Sequence, residues 1–201
     1  MLEIIHNDIY CTVAIHPILL EEQCHTQKNT PVINVKSIKR KCEWLTTHKV
    51  LHELLLEQVT YKYDSLGKPI LNNRNERVSI SHSRNYSAVI VSNEKRVGID
   101  IEELNPRILK ISKKFINLSE QIFIDNQNLK TELLYLIWCA KEALYKLSET
   151  YLDFKEHIFI EDFILSNSGS FNAKTFHPEN TQQYTLSYRL TEKFVLVWVV
   201  E

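Results

Sequence analysis

Several short stretches of this chain alternate apolar and polar positions with a period of two. Residues 9–15 place Ile9, Cys11, Val13 and Ile15 on one face and Tyr10, Thr12 and Ala14 on the other, which predicts a strand. Residues 78–82, 86–91 and 97–102 show the same habit, and the link Ser-Asn-Glu-Lys-Arg between the last two predicts a hairpin. Near the end, residues 158–165, 184–190 and 194–200 are rich in β-formers, and the last two predict a terminal hairpin. Helical spacing takes over elsewhere. In residues 37–58, Trp44, Leu45, Val50, Leu51, Leu54 and Leu55 share a broad face, and in residues 131–148 Leu133, Leu136, Ile137, Ala140, Ala143, Leu144 and Leu147 form one stripe. A polar helix is expected from about Pro17 to Thr26, and a basic one from Pro106 to about Phe115, where proline suits a helix start. This order of elements predicts an α+β protein with two lobes of similar content, meeting around residues 95–105.

Composition narrows the classes. With 201 residues the chain suits one large domain or two small lobes. Lys and Arg number 24 against 25 Asp and Glu, so bulk charge gives no reason to expect nucleic acid or a membrane surface as partner. No run of about 18 apolar residues occurs, which predicts no membrane span. The first seven positions carry acidic and polar residues and no basic cluster, so the start does not resemble a signal peptide. Cys11, Cys24, Cys42 and Cys139 are scattered without zinc-type spacing, which predicts free thiols and a cytoplasmic location.

Three stretches carry candidate chemistry. In Val97-Gly-Ile-Asp-Ile-Glu, strand alternation puts Gly98, Asp100 and Glu102 on one face. Carboxylates two apart on a strand lie about 7 Å from each other at the Cα, close enough to repel unless a cation or a proton intervenes. Hard oxygen ligands of this kind suit Mg²⁺ beside substrate phosphates. The same alternation also suits a solvated strand face with two acids. In Trp138-Cys-Ala-Lys-Glu-Ala-Leu-Tyr-Lys, Glu142 lies opposite the core stripe with Lys146 four residues on. That pair reads equally as an ordinary surface helix pair, although Trp138 one turn earlier on the same side is unusual for a solvated face. The third stretch is Ser79-Ile-Ser-His-Ser, preceded by Gly67-Lys-Pro, where Lys68, Ser81 and His82 offer compact donors for phosphate. Alone, Lys68 is a turn residue and His82 a structural histidine.

Taken together and in this order, the four motifs Gly67-Lys-Pro, Ser79-Ile-Ser-His-Ser, Gly98-Ile-Asp-Ile-Glu and Trp138-Cys-Ala-Lys-Glu-Ala-Leu-Tyr-Lys resemble the 4'-phosphopantetheinyl transferase superfamily. The length looks like its two-lobed monomeric branch, whose lobes are related by a pseudo-twofold axis. The resemblance implies lobes over residues 1–97 and 98–201, with the active site where they meet. It implies transfer of 4'-phosphopantetheine from coenzyme A to a serine of an acyl or peptidyl carrier protein, with release of 3',5'-adenosine diphosphate. Asp100, Glu102 and Glu142 would bind Mg²⁺, while Lys68, Ser81 and His82 would contact coenzyme A phosphates. Glu142 would also serve as general base, and Lys146 would orient it and neutralise the leaving pyrophosphate. Two positions depart from the pattern. In Glu43-Trp-Leu-Thr-Thr-His48 the family usually has arginine where His48 stands, which implies a weaker or more pH-dependent grip on a coenzyme A phosphate. After Lys146 the usual glycine is replaced by Leu-Ser-Glu-Thr.

Arg107, Lys110 and Lys114, spaced i, i+3 and i+7 with Lys113 beside them, form an expected basic face on the helix after the acidic strand. Carrier proteins are typically acidic around their modified serine, so this face is a candidate dock; it equally suits a solvated helix. Competing functions are a coenzyme A- or carrier-binding relative without transfer, and a metal-dependent phosphohydrolase using the same carboxylates. A serine hydrolase built on Ser81 or Ser83 with His82 lacks the nucleophile-elbow glycines.

Overall fold

The computed structural model describes residues 1–26, 37–177 and 180–201. The chain forms two compact units, Met1–Lys95 and Arg96–Glu201. Each is built on its own antiparallel sheet with helices, an α+β arrangement.

In the first unit six strands, β1 (Glu3–Asn7), β2 (Cys11–Pro17), β3 (Tyr61–Tyr63), β4 (Pro69–Leu71), β5 (Arg77–His82) and β6 (Tyr86–Ser92), lie in the order β1-β2-β6-β5-β4-β3. The helices are α1 (Glu21–Thr26) and α2 (Ile38–Leu55). Helix α2 starts where the Ser37 side chain accepts the Arg40 N–H, satisfying one of the open amides of its first turn. It stops at Leu56, which adopts left-handed backbone with φ 56°. Val50 and Leu51 of α2 pack with Ala14, Val78, Val89 and Val91 of the sheet, and this contact fixes which face of β5 meets the helix. Strand β2 departs from the one-sided pattern expected of it. Val13, Ala14, Ile15 and His16 are all buried, whereas Ile9 and Tyr10 are exposed in the turn before it.

In the second unit the strands are β7 (Val97–Glu103), β8 (Ile158–Ile160), β9 (Ser168–His177), β10 (Asn180–Leu190) and β11 (Phe194–Val200), in the order β7-β11-β10-β9-β8. Helices α3 (Ile108–Ile111), α4 (Leu118–Asp125) and α5 (Lys130–Leu147) complete it. Leu133, Leu136, Ile137, Ala140, Ala143, Leu144 and Leu147 of α5 are buried in one core with Val195, Val197 and Val199 of β11. The stripe read from the sequence is therefore the face that α5 turns to the sheet.

Strands β10 and β11 pair as the terminal hairpin, with Leu186 opposite Val199. Strands β6 and β7 do not pair, contrary to the hairpin expected there. Strand β6 lies between β2 and β5, and among the described residues β7 pairs only with β11, Asp100 opposite Val197. The linking residues have hairpin length, but a strand joins the sheet that can bury its apolar side chains. The basic helix also differs. It is a single α turn followed by a 3-10 turn at Ser112–Lys114, after which Phe115 and Ile116 turn inward and are buried. Helix α4 follows on a capping box: Asn117 Oδ1 accepts the Glu120 N–H, and Glu120 Oε2 accepts the Asn117 N–H, each at 3.0 Å. The four cysteines are buried free thiols.

Candidate functional site

The carboxylates of the second unit are arranged by a glycine. A Cβ placed on Gly98 would lie 2.0 Å from the Ala143 carbonyl oxygen and 3.2 Å from the Leu147 amide nitrogen. Only a hydrogen at this position lets α5 lie directly on β7. Asp100 and Glu102 follow on the same face of the strand as Gly98, and so face the side on which α5 carries Glu142 and Lys146. Lys146 Nζ reaches across to β7, donating to Asp100 Oδ1 at 2.7 Å and to the Ile99 carbonyl at 2.9 Å. It thus serves the strand as well as its own helix. The Trp138 side chain, one turn before Glu142, stands near the Glu102 carboxylate and favours its charged form.

The electrostatics tie these groups together. Burial, with the Asp100 charge next, pushes the Glu102 carboxyl up to about 7; Trp138 and Lys146 oppose the rise and Glu142 adds to it. Burial and then Asp100 also raise Glu142 above the usual carboxylate range, against the pull of Lys146. Asp100 is only 4% exposed, so its charge acts through protein rather than water. Asp100 thus raises the proton affinity of both Glu102 and Glu142, a crowding of carboxylates that a hard divalent cation relieves. The donor chemistry therefore fits Mg²⁺.

Among the described residues, the three-residue group whose ligand atoms all lie within 4.8 Å of one another is a different one, His6, Asp8 and Cys11. The carboxylate oxygens of Asp100, Glu102 and Glu142 are not grouped that closely, and ligands of one Mg²⁺ at about 2.1 Å lie within about 4.2 Å of one another, so direct coordination by all three requires their side chains to draw together. The chemistry of the His6 group is that of a turn. Asp8 accepts the Tyr10 and Cys11 amides at 2.8 Å each and lies 3.0 Å from His6 Nε2, while burial pushes the Cys11 thiol up to about 11. The carboxylate is engaged in closing the β1–β2 connection, and the thiol stays protonated.

The expected phosphate contacts lie in the first unit. Lys68 follows Gly67, whose φ of 77° makes the turn, and Asp64 Oδ1 accepts the Lys68 amide at 2.8 Å. Ser81 and His82 are neighbours on β5, so their side chains leave opposite faces of the sheet. His82 lies on the α2 face, with Nε2 2.7 Å from Thr47 Oγ1. Thr47 donates its own proton to the Glu43 carbonyl at 3.0 Å, so His82 Nε2 carries the hydrogen shared between them. Thr47 was not singled out from the sequence. Only its position one residue before His48 on a helix facing β5 marks it.

His48 is placed less favourably for phosphate. Its Nδ1 bonds the Trp44 carbonyl at 2.9 Å, and its Nε2 is buried without a hydrogen-bond partner. Its ring stacks on Tyr61 with centroids 4.9 Å apart and lies against Trp44. Burial holds its pKa below the usual histidine range, so the neutral form carries its proton on Nδ1 and offers no donor from Nε2. Arg107, Lys110, Lys113 and Lys114 are all exposed, but the change from α to 3-10 winding breaks the single helical face expected of them.

The matched family model, described as the 4'-phosphopantetheinyl transferase superfamily, covers residues 96–199. A Synechocystis sp. protein provisionally named a 4'-phosphopantetheinyl transferase is 33% identical over 101 residues, 47% of this chain and 41% of that protein. The 4'-phosphopantetheinyl transferase HetI of Nostoc sp. is 32% identical over 99 residues, 44% of this chain and 41% of its own length. A 4'-phosphopantetheinyl transferase of Bacillus pumilus is 30% identical over 105 residues, 49% of this chain and 45% of its own. The chain thus spans about two-fifths of the length of the curated relatives it matches. The family match begins at the first residue of the second unit and takes in Gly98, Asp100, Glu102, Glu142 and Lys146, the set that geometry and charge had already drawn together. On that match over more than half of its residues, the chain belongs to the 4'-phosphopantetheinyl transferase superfamily.

Proposed function

We propose that this protein transfers 4'-phosphopantetheine from coenzyme A to a serine hydroxyl of an apo acyl or peptidyl carrier protein. The observation that carries the reading is the acidic face of β7 and α5, Asp100, Glu102 and Glu142, with Lys146 bonded to Asp100 at 2.7 Å, inside the segment matched to the family. Asp100, Glu102 and Glu142 would hold Mg²⁺, which when bound supplies charge neutralisation to the pyrophosphate. Glu142, raised by burial and by Asp100, is suited to take the proton of the attacking serine. The serine oxygen forms a bond to the phosphorus that carries pantetheine, and the bond from that phosphorus to the bridging oxygen breaks. The leaving group is 3',5'-adenosine diphosphate. Lys146 keeps a positive charge beside this centre, where it offsets charge gathering on the leaving phosphate. Lys68 and His82 are the further phosphate contacts in this reading, and Ser81 serves there only through the other face of its strand. The carrier partner, monomeric state and cytoplasmic setting belong to the same reading. Among the described residues, no helix is long and apolar enough to cross a membrane.

Mass spectrometry of apo-carriers incubated with coenzyme A and Mg²⁺ tests the proposal. The expected result is a mass gain of one phosphopantetheine, lost on chelation and reduced at least about a hundredfold in Glu142→Gln, as for removal of a general base. Phosphate release without any carrier would identify a phosphohydrolase instead. Coenzyme A or carrier binding without transfer would identify a non-catalytic relative.

A further inference from the structure

Lys141 stands beside Glu142 in sequence, yet its side chain is fully buried. Its Nζ donates to Glu120 Oε2 at 2.7 Å, to the Phe115 carbonyl at 2.8 Å and to the Phe154 carbonyl at 2.6 Å, which uses all three ammonium hydrogens. Glu120 is fully buried as well. Besides Lys141 it accepts the Asn117 amide at 3.0 Å and the Ile160 amide at 2.9 Å. Helix α5, the start of α4, the segment at Phe115, the loop at Phe154 and strand β8 therefore meet at one ion pair.

Buried pairs of this kind are weak evidence for stability, because burying the two charges costs about as much as their attraction returns. What this pair does uniquely is fix two backbone carbonyls. The rings of those same two residues close on Trp138: Phe115 at 5.0 Å and Phe154 at 5.5 Å between centroids, both edge-on. Trp138 in turn stands near the Glu102 carboxylate and favours its charged form. An unbroken chain of contacts thus leads from Lys141 to a carboxylate of the site without Lys141 touching the site.

We propose that Lys141, with Glu120, is a positioning residue for the carboxylate site: it holds Phe115 and Phe154 so that their rings fix Trp138, and Trp138 orients Glu102. As a statement about metal binding and transfer, this rests on the transferase reading; as a statement about Trp138 it stands on the contacts alone.

The test uses the full chain labelled with 5-fluorotryptophan. Its three tryptophans, Trp44, Trp138 and Trp198, give three fluorine resonances, assigned by Trp138→Phe. The main variant combines Lys141→Met with Glu120→Gln, which removes both charges while a side-chain oxygen remains for one of the Asn117 and Ile160 amides. Glu120→Gln alone is the second variant, in case the first fails to fold. The Trp138 resonance should shift or broaden while the other two stay in place. Mn²⁺ affinity read by electron paramagnetic resonance, and the Mg²⁺ concentration for half-maximal transfer, should each weaken about tenfold, the usual effect of losing an outer partner of a metal ligand. The carrier KM should change less than about twofold. An unmoved Trp138 resonance, or unchanged metal affinity in a variant with a lowered urea midpoint, would overturn the proposal and leave the pair a structural tie. If the wild-type protein transfers nothing, the transferase reading fails, while the fluorine and Mn²⁺ measurements still decide the role of Lys141.

Discussion

Gly98 shows how much a single hydrogen atom can determine. An added methyl would meet the Ala143 carbonyl at 2.0 Å, and a backbone atom in mid-helix cannot swing aside as a side-chain tip can. Gly98→Ala must therefore push α5 off β7 and separate Glu142 from Asp100. The expected cost is about 2 kcal/mol or more in stability, as for overpacked cores, and transfer should fall far more than the lowered stability explains. A urea titration beside the Mg²⁺-dependent rate checks both. Glu102 sets a pH dependence at the same scale. Its carboxyl is raised to about 7 in the folded chain, against an ordinary value of 4.5. Between those values the folded state binds more protons than the unfolded one, so stability falls as pH rises from about 4.5 to about 7 and is level beyond. Mg²⁺ competes with that proton. Thermal unfolding should show a larger stabilisation by Mg²⁺ at pH 8 than at pH 5.5, and Glu102→Gln should flatten the metal-free curve across the same window.

At the scale of elements, what was legible in the sequence was what periodicity reports. The stripe of α5 and the apolar run of β11 marked those elements, because their burial is one-sided or nearly complete, whereas β10 was legible only from Tyr184 on, its earlier residues being polar and largely exposed. Strand β9 escaped notice because its inward positions include small and polar residues, Ala173 and Thr175, beside Phe171. The capping box at Asn117 and Glu120 is the local sequence signal for α4. Glu120 and Lys141 look like solvated helix residues until tertiary structure buries both, and no spacing rule reveals a partner 21 positions away. The acids of β7 were legible as a pair from spacing and Glu142 joined them only through the ordered motifs; Gly98 supplies the physical reason, since it lets α5 lie against that strand. His48 tests an element-scale reading too. On α2 its ring fills a gap between Trp44 and Tyr61, and its Nε2 meets no donor. His48→Phe keeps the stacking and removes the unsatisfied nitrogen, so stability should change by less than about 1 kcal/mol. The KM for coenzyme A should stay within about twofold; a large rise would return His48 to the phosphate contacts.

For the whole molecule, charge distribution matters more than net charge. The chain carries 24 basic and 25 acidic side chains, so nothing in the total attracts a partner. The second unit nevertheless presents Arg107, Lys110, Lys113 and Lys114 as exposed cations within eight residues, directly after the strand that carries Asp100 and Glu102. An acidic carrier whose serine must reach Glu142 would meet these cations during approach. Exposed charges act over about 10 Å in ordinary salt, far enough to steer an encounter but too weakly to organise a coenzyme A site. Combined Arg107→Glu and Lys110→Glu should therefore raise the carrier KM about tenfold, with the effect shrinking as salt is added. The KM for coenzyme A and the rate at saturating carrier should stay near the wild-type values. Transfer kinetics at two salt concentrations separate the contributions: a loss that is independent of salt, or one confined to coenzyme A, would mean that these cations serve the nucleotide instead, and the carrier would have to be recognised elsewhere on the chain.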